Sequence, residues 1–295
     1  YIEWCSSRRR PQYPGEWMPH SNSLLFTEHQ PMELPIWRET LLGLDWLRLK
    51  ASPVYYGFGI PRGNGSAVVV VPGFLGIDLY LTELYAWLWR IGYKPYMSRI
   101  GQNAECPNLL IDHLLDTVER AYGKTRRKVH MVGHSLGGVL SRGAAVSRPD
   151  LISTVITLGS PYRGVRVHPW VLNTAEMIRK RIYDRKHLFP SHKPHEPDCY
   201  TSRCACGFAC TWREDFPDSV RQVAVYTKTD GIVDWEVCIN HDPKTDVEVS
   251  GTHCGLAWNP HVYRVIAERL ALPPMRKRRG RNGSSTSKTQ LKNSG

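Results

Sequence analysis

One short, wholly apolar run constrains the fold of this 295-residue chain more than any other feature. Ala67–Val71 contains four consecutive valines, so a strand formed there would be apolar on both faces. Strands that are covered on both faces are typical of parallel sheets, because half-exposed strands alternate apolar and polar residues. The run therefore predicts a strand inside a parallel sheet with helices on both faces.

Strand and helix patterns alternate regularly after this run. Further strands are predicted at Pro95–Ser98, Lys128–Val132, Thr154–Leu158, Gln222–Tyr226 and Asp246–Val249. Helices are predicted at Asp78–Ile91, Asn108–Tyr122, Leu136–Ser147 and Val262–Leu272, and an amphipathic helix at Ile36–Leu49. This alternation predicts right-handed crossovers and a mostly parallel central sheet, which is an α/β fold. We expect an N-terminal arm and helix over residues 1–65, a catalytic domain over 66–274 and a disordered basic tail over 275–295.

The pentapeptide Gly133-His134-Ser135-Leu136-Gly137 stands between a predicted strand and a predicted helix. A G-x-S-x-G sequence in that place is typical of a nucleophile elbow, a sharp turn that exposes the serine hydroxyl at the sheet edge. The helix N-terminus below Ser135 would favour developing negative charge. The alternative is a glycine-rich turn with a capping serine.

Acyl transfer from such a serine also requires N–H donors for the oxyanion. The backbone N–H of Leu136 directly follows the nucleophile. The loop after Ala67–Val71 is predicted to supply the second donor from Phe74. Pro72 stands in this loop where H-G-x-x-G loops carry a histidine, and a plain turn is the alternative.

The serine requires a base and an acid, which this fold presents in the order serine, acid, histidine. His253 precedes the last predicted helix and is the predicted base, with His241 and His261 as weaker candidates. Asp230 follows a predicted strand at an Asp-Gly turn and is the predicted acid. Asp234 is the alternative acid, which would otherwise cap a turn or helix.

Five segments resemble those of bacterial α/β-hydrolase lipases and esterases of the triacylglycerol-lipase type. These segments are Val71–Gly76, Gly133–Gly138, Leu158–Pro161, Thr229–Val233 and Thr252–Leu256. The resemblance covers roughly residues 66–272 and implies the α/β-hydrolase fold and the same site residues. It implies a serine ester hydrolase acting on apolar acyl esters or lipids, without a cofactor for catalysis.

Residues 162–217 interrupt the alternation after the sixth-strand position, where such folds often carry a lid. Apolar residues from Trp170 to Ile182 recur at helical spacing with Arg179, Lys180, Arg181 and Arg185 between them. A basic amphipathic helix over the site would contact a lipid interface, whereas a fixed cap would pack permanently on the domain. Both arrangements stay open at this point.

Four of the eight cysteines fall within twelve residues, at Cys199, Cys204, Cys206 and Cys210. Four close thiols can hold a structural zinc, although their spacing is not the paired C-x2-C pattern. Two disulfides or free thiols are the alternatives. Cys254 is next to His253, but a complete serine elbow leaves it little to do.

The net charge of +12 is concentrated at the C-terminus, where seven Lys and Arg residues follow Met275 without an acid. Such composition is typical of a solvated, disordered tail, and no nucleic-acid partner is expected. No apolar run approaches the roughly 20 residues of a membrane helix, so the chain is expected to be soluble, either cytoplasmic or exported. The rival functions are an acyltransferase or thioesterase with the same triad, and a non-catalytic binding module.

Overall fold

The computed structural model describes residues 30–184 and 207–275 of the chain. Its central sheet has six strands, β1 Ala67–Val71, β2 Lys94–Met97, β3 Val129–His134, β4 Ile152–Leu158, β5 Arg221–Tyr226 and β6 Asp246–Glu248. All neighbouring strands are parallel, and their order is β2-β1-β3-β4-β5-β6. Consecutive strands therefore require crossovers, and the predicted parallel α/β sheet is confirmed.

Seven α-helices lie within the described residues. They are α1 Leu42–Ala51, α2 Thr82–Arg90, α3 Pro107–Thr125, α4 Leu136–Ser147, α5 Pro169–Asp184, α6 Gly207–Arg213 and α7 Pro260–Leu270. Every residue of β1 is fully buried. Val68 and Val70 face a core that they share with α2 and α7, whereas Val69 and Val71 face a second core with α3 and α4. Because the strand is covered on both faces, the sequence there has no polar alternation.

The segment predicted as one amphipathic helix at Ile36–Leu49 has a different form. A 3-10 helix at Ile36–Leu41 leads into α1. The apolar residues that share one face are exposed to solvent, among them Trp37 and Leu47 at 63% and 57%. Asp45 and Leu49 instead face the protein and are buried. Helical spacing predicted which residues share a face, but the face that packs on the domain carries a carboxylate.

The insertion after β4 contains α5 and α6, and residues 185–206 lie outside the described stretches. Arg166–Val167 pairs in parallel with Gln30–Pro31 at its start. Ile178 and Ile182 of α5 are buried against Phe74 and Leu75. Thus α5 packs over the loop that follows β1, and its role as a lid or a fixed cap stays a prediction.

Several predictions fall outside the described residues: the arm over 1–29, the tail beyond Met275, Arg185, and three cysteines of the cluster, Cys199, Cys204 and Cys206. Within the two described stretches, none of the helices combines the length and the apolar character that crossing a bilayer requires.

Candidate active site

Ser135 is the single residue between β3 and α4. Its backbone has φ 51° and ψ −126°, a conformation that ordinary side chains rarely adopt and that costs about 1–3 kcal/mol. Two backbone hydrogen bonds hold it, from Ser135 N to Leu158 O at 2.8 Å and from Gly138 N to Ser135 O at 3.0 Å. The chain therefore maintains a strained serine at the carboxyl edge of the sheet, where an elbow is expected.

The glycines of the elbow are required because the backbone approaches other backbone closely. A Cβ on Gly133 would lie 2.5 Å from Gly137 O and from Gly138 Cα. A Cβ on Gly137 would overlap the carbonyl oxygens of Val71 and Pro72, at the end of β1. Side chains at these positions would push α4 away from the sheet and move the Ser135 hydroxyl.

The loop that follows β1 lies directly against the elbow. A Cβ on Gly73 would be 3.0 Å from Ser135 Cβ. Gly76 N donates to Gly73 O at 2.9 Å, so the N–H of Phe74 takes no part in this turn bond. Leu136 is the first residue of α4, and the first N–H groups of a helix have no partner inside the helix. The two predicted oxyanion donors therefore lie on two segments that meet at Ser135.

Asp230 and His253 form a buried pair. Nδ1 of His253 is 2.6 Å from Oδ2 of Asp230, and both side chains are 3% exposed. The other carboxylate oxygen accepts hydrogen bonds from Ile232 N at 2.8 Å and Val233 N at 2.7 Å. Since both carboxylate oxygens have partners, the orientation of Asp230, and hence of the imidazole, is well defined.

Electrostatics set the protonation of the two histidines at the site. Burial lowers the pKa of His253, but the nearby carboxylate of Asp230 and the charge of Glu39 outweigh it, so the net shift is upward. Burial and the neighbouring His253 lower the pKa of His134 to about 3. Its Nε2 is 2.9 Å from His253 O, and because a carbonyl oxygen only accepts, Nε2 must carry the proton. His134 thus supports the His253 loop as a neutral side chain.

The alternative site residues occupy other surroundings. Asp234 accepts a hydrogen bond from Glu236 N at 3.2 Å and forms an ion pair with Arg166 at 2.8 Å. His241 and His261 are exposed. Asp234 therefore caps a turn, and the geometry associates His253 with Asp230 alone among these candidates.

Of the predicted cysteine cluster, only Cys210 lies within the described residues. Cys210 is disulfide-bonded, so its sulfur is not a thiolate that can bind zinc. Within residues 30–184 and 207–275, no three His, Cys, Asp or Glu side chains are grouped to hold a metal ion. The zinc alternative is thus not supported. Burial and the neighbouring Glu39 raise the pKa of Cys254 to about 12, which disfavours the nucleophilic thiolate.

Residues that carry no motif also shape the site. Asn103 is fully buried and donates from Nδ2 to Pro72 O at 2.8 Å, while its backbone bonds Leu75 and Gly76. The hydroxyl of Tyr80 donates to Cys254 O at 2.6 Å. No local pattern in the sequence indicated these contacts, because each one joins segments distant along the chain.

Residues 99–238, which include the elbow and Asp230, match the family described as "PGAP1-like alpha/beta domain". The chain is 31% identical over 133 residues to a triacylglycerol lipase of Burkholderia plantarii, covering 42% of this chain and 37% of that relative. It is 33% identical over 106 residues to a triacylglycerol lipase of Pseudarthrobacter phenanthrenivorans, covering 33% of each. The chain thus spans about a third of the length of these curated relatives.

A solved structure of similar fold is a soluble variant of monoglyceride lipase from Saccharomyces cerevisiae in complex with a substrate analog. The TM-score is 0.50 at 15% sequence identity, covering 72% of this chain and 89% of that chain. At this identity the likeness concerns the fold alone.

Proposed function

We propose that this chain, which has the α/β-hydrolase fold and sequence relatives among triacylglycerol lipases, is a serine carboxylic ester hydrolase acting on apolar acyl esters. One observation carries the proposal above all: a buried histidine–aspartate pair, with Nδ1 and Oδ2 2.6 Å apart, is attached to a strained serine elbow, because His134, the residue before Ser135, donates to His253 O at 2.9 Å. Strained backbone and buried charged pairs are both costly, and they persist together where chemistry requires them.

In the proposed acylation step, Nε2 of His253 accepts the proton of the Ser135 hydroxyl as Oγ attacks the ester carbonyl. Asp230 keeps the Nδ1 proton in place and stabilises the imidazolium that forms. The oxyanion accepts hydrogen bonds from the N–H groups of Phe74 and Leu136. The imidazolium then donates its proton to the departing alcohol, and the acyl group remains as an ester of Ser135.

Deacylation repeats these roles with water. His253 takes a proton from water, whose oxygen attacks the acyl carbonyl, and returns it to Ser135 Oγ as the free acid leaves. An acyltransferase would use another alcohol in place of water, so the identity of the second product separates the two reactions. The steps use only this chain's residues and the substrates.

The proposed substrates carry a medium or long acyl chain. The Phe74 loop lies in an apolar cluster with Ile178 and Ile182 of α5, and the neighbouring Leu79 is 73% exposed. An acyl chain gains about 0.8 kcal/mol for each methylene that it buries, so several methylenes raise specificity more than a hundredfold. The triacylglycerol lipase relatives support an ester of this kind.

The proposed catalytic unit is residues 66–274, with the insertion at 162–217 as its cover. Trp170 and Met177 of α5 are 52% and 66% exposed, which supports contact with a lipid surface. The basic residues of α5 contribute less to such contact than the number of Lys and Arg residues suggests. Arg179 pairs with Glu176 at 2.7 Å and Arg181 donates to Ala104 O at 2.6 Å, so both are engaged within the protein.

The test is hydrolysis of p-nitrophenyl esters from acetyl to decanoyl by the wild type and Ser135→Ala. We expect kcat/KM to rise from acetyl to hexanoyl or octanoyl and to fall at least about 10³-fold in Ser135→Ala. Ser141→Ala, a buried helical serine that bonds Gly137 O, is the matched control. An optimum at acetate would refute the apolar acyl preference, and an active Ser135→Ala would refute the mechanism.

A further inference from the structure

The 3-10 helix Ile36–Leu41, which precedes α1, places the carboxylate of Glu39 against the backbone of the Asp230 turn and of the His253 loop. Oε1 of Glu39 accepts hydrogen bonds from His253 N at 2.9 Å and Gly231 N at 3.2 Å. Oε2 accepts from Cys254 N at 2.9 Å. One side chain therefore holds the backbone of the acid turn and the backbone of the histidine loop at the same time.

We propose that Glu39 is a positioning residue of the hydrolase: its carboxylate holds the Asp230 turn against the His253 loop and adds a second negative charge near His253. The inference rests on the proposed function. No motif connects this residue with the site, because it lies 192 and 214 positions from two of the residues that it binds.

Close packing supports a dedicated contact. A Cβ on Gly231 would lie 2.8 Å from Pro35 O and 3.1 Å from Glu39 Oε1. The acid turn can thus approach Glu39 only because residue 231 has no side chain. Gly231 immediately follows Asp230, so a displacement of this contact would move the carboxylate that orients His253.

A second carboxylate from the same segment strengthens the attachment. Asp45 of α1 accepts hydrogen bonds from Thr252 N at 3.3 Å and Thr252 Oγ1 at 3.2 Å. A Cβ on Gly255 would overlap Oδ2 of Asp45. The apolar face of this segment points to solvent while its carboxylates face the histidine loop, so its orientation follows these polar contacts.

Glu39 affects His253 through its charge as well as through the hydrogen bonds that its carboxylate accepts. The titratable and charged groups on the elements packed around His253 are Asp230, Glu39, Asp45, Cys254, His134 and Tyr80. Burial lowers the pKa of His253, and Asp230 followed by Glu39 raises it. Removing the charge of Glu39 should therefore lower the pKa of His253 while Asp230 remains in place.

Two variants separate charge from geometry. Glu39→Gln keeps the size of the side chain but removes its charge. In the wild type both carboxylate oxygens accept from backbone N–H groups, so the NH2 group of the glutamine would face at least one of these donors without forming a hydrogen bond. Glu39→Asp keeps the charge on a side chain shorter by one methylene. Glu33→Gln makes the same chemical change at a nearby exposed position and is the matched control.

The experiment measures kcat and KM on p-nitrophenyl octanoate from pH 5 to 9, normalised to sites labelled by a phosphonate. For Glu39→Gln we expect kcat to fall about 10- to 100-fold with KM nearly unchanged, as for a misplaced catalytic group. The acid limb of kcat/KM should move to lower pH, because the pKa of His253 falls when the charge of Glu39 is removed. Glu39→Asp should lower kcat but leave the limb at the wild-type pH. A purely structural role would lower kcat in both variants and move the limb in neither.

NMR titration of labelled histidine gives a readout without substrate, with His253 assigned by comparison with His253→Gln. A lower His253 pKa in Glu39→Gln, but not in Glu33→Gln, supports the inference even if no ester is hydrolysed, in which case only the proposed function fails. If the wild type is active and Glu39→Gln matches Glu33→Gln in kcat, acid limb and titration, the role of Glu39 is refuted and the hydrolase remains.

Discussion

Replacing Asp230 by Asn changes the charge and one hydrogen-bonding group of the acid while keeping its shape. In the wild type, Oδ1 accepts from Ile232 N and Val233 N, and Oδ2 faces His253 Nδ1. An asparagine has one oxygen, and turning its NH2 group toward the two backbone donors would leave both unsatisfied, at about 1–3 kcal/mol each. The oxygen should therefore stay with the backbone, and the NH2 group should face His253.

The consequence is a change of tautomer. An NH2 group at Nδ1 donates to the ring, so the ring proton moves to Nε2, which then cannot accept the proton of Ser135. We expect kcat to fall about 10³- to 10⁴-fold, the effect of the same change in other triad enzymes, which corresponds to about 4–5.5 kcal/mol in the barrier. Because two of the three hydrogen bonds remain, the variant should stay folded.

The assay is hydrolysis of p-nitrophenyl octanoate, with thermal unfolding to compare stability. Asp234→Asn is the matched control, since it keeps the acceptor for Glu236 N and loses only the charge that pairs with Arg166. Its kcat should stay within about threefold of the wild type. A larger loss in Asp234→Asn than in Asp230→Asn would move the acid role to Asp234 and refute the reasoning.

Three further predictions concern packing and pH. Gly137→Ala should destabilise the fold by about 3 kcal/mol or more, because the added Cβ overlaps the backbone at the end of β1. Gly123 has open space around it, so Gly123→Ala should be neutral or stabilising. Thermal unfolding of the two variants tests this difference. In denaturant unfolding, Leu49→Ala should cost about 2–5 kcal/mol because this side chain is fully buried, and Leu44→Ala, 49% exposed, less than about 1 kcal/mol; equal costs would contradict the orientation of α1. The pKa of His253 is raised above 6.5, and the protonated ring cannot accept the serine proton. As the pH falls, kcat/KM should therefore decline with a midpoint above pH 6.5. A midpoint below pH 6.5 would contradict the electrostatic account.

The sequence predicted the sheet and the elbow well because their signals are local. The valine run of β1 reports burial on both faces, and the glycines around Ser135 report close backbone approach. Both features are formed by residues that are close neighbours along the chain, so a short stretch of sequence is enough to recognise them. The parallel α/β sheet follows from such signals, and the structure confirms it.

The support of the site could not be predicted in the same way. The hydrogen bonds of Glu39, Asp45 and Asn103 join segments far apart in the chain, and a single acidic or amide residue leaves no periodic pattern. The amphipathic pattern over Ile36–Leu49 showed a shared face but not its direction. In the structure, the carboxylates at the histidine loop determine that direction.

Covalent labelling of Ser135 tests the central claim most directly. A p-nitrophenyl alkylphosphonate should react with one residue per active chain and abolish ester hydrolysis in proportion to labelling. After trypsin, the adduct should lie in the peptide Val129–Arg142, and fragmentation should place it on Ser135 rather than on Ser141. An adduct on another residue, or full hydrolysis by the labelled protein, would contradict the account.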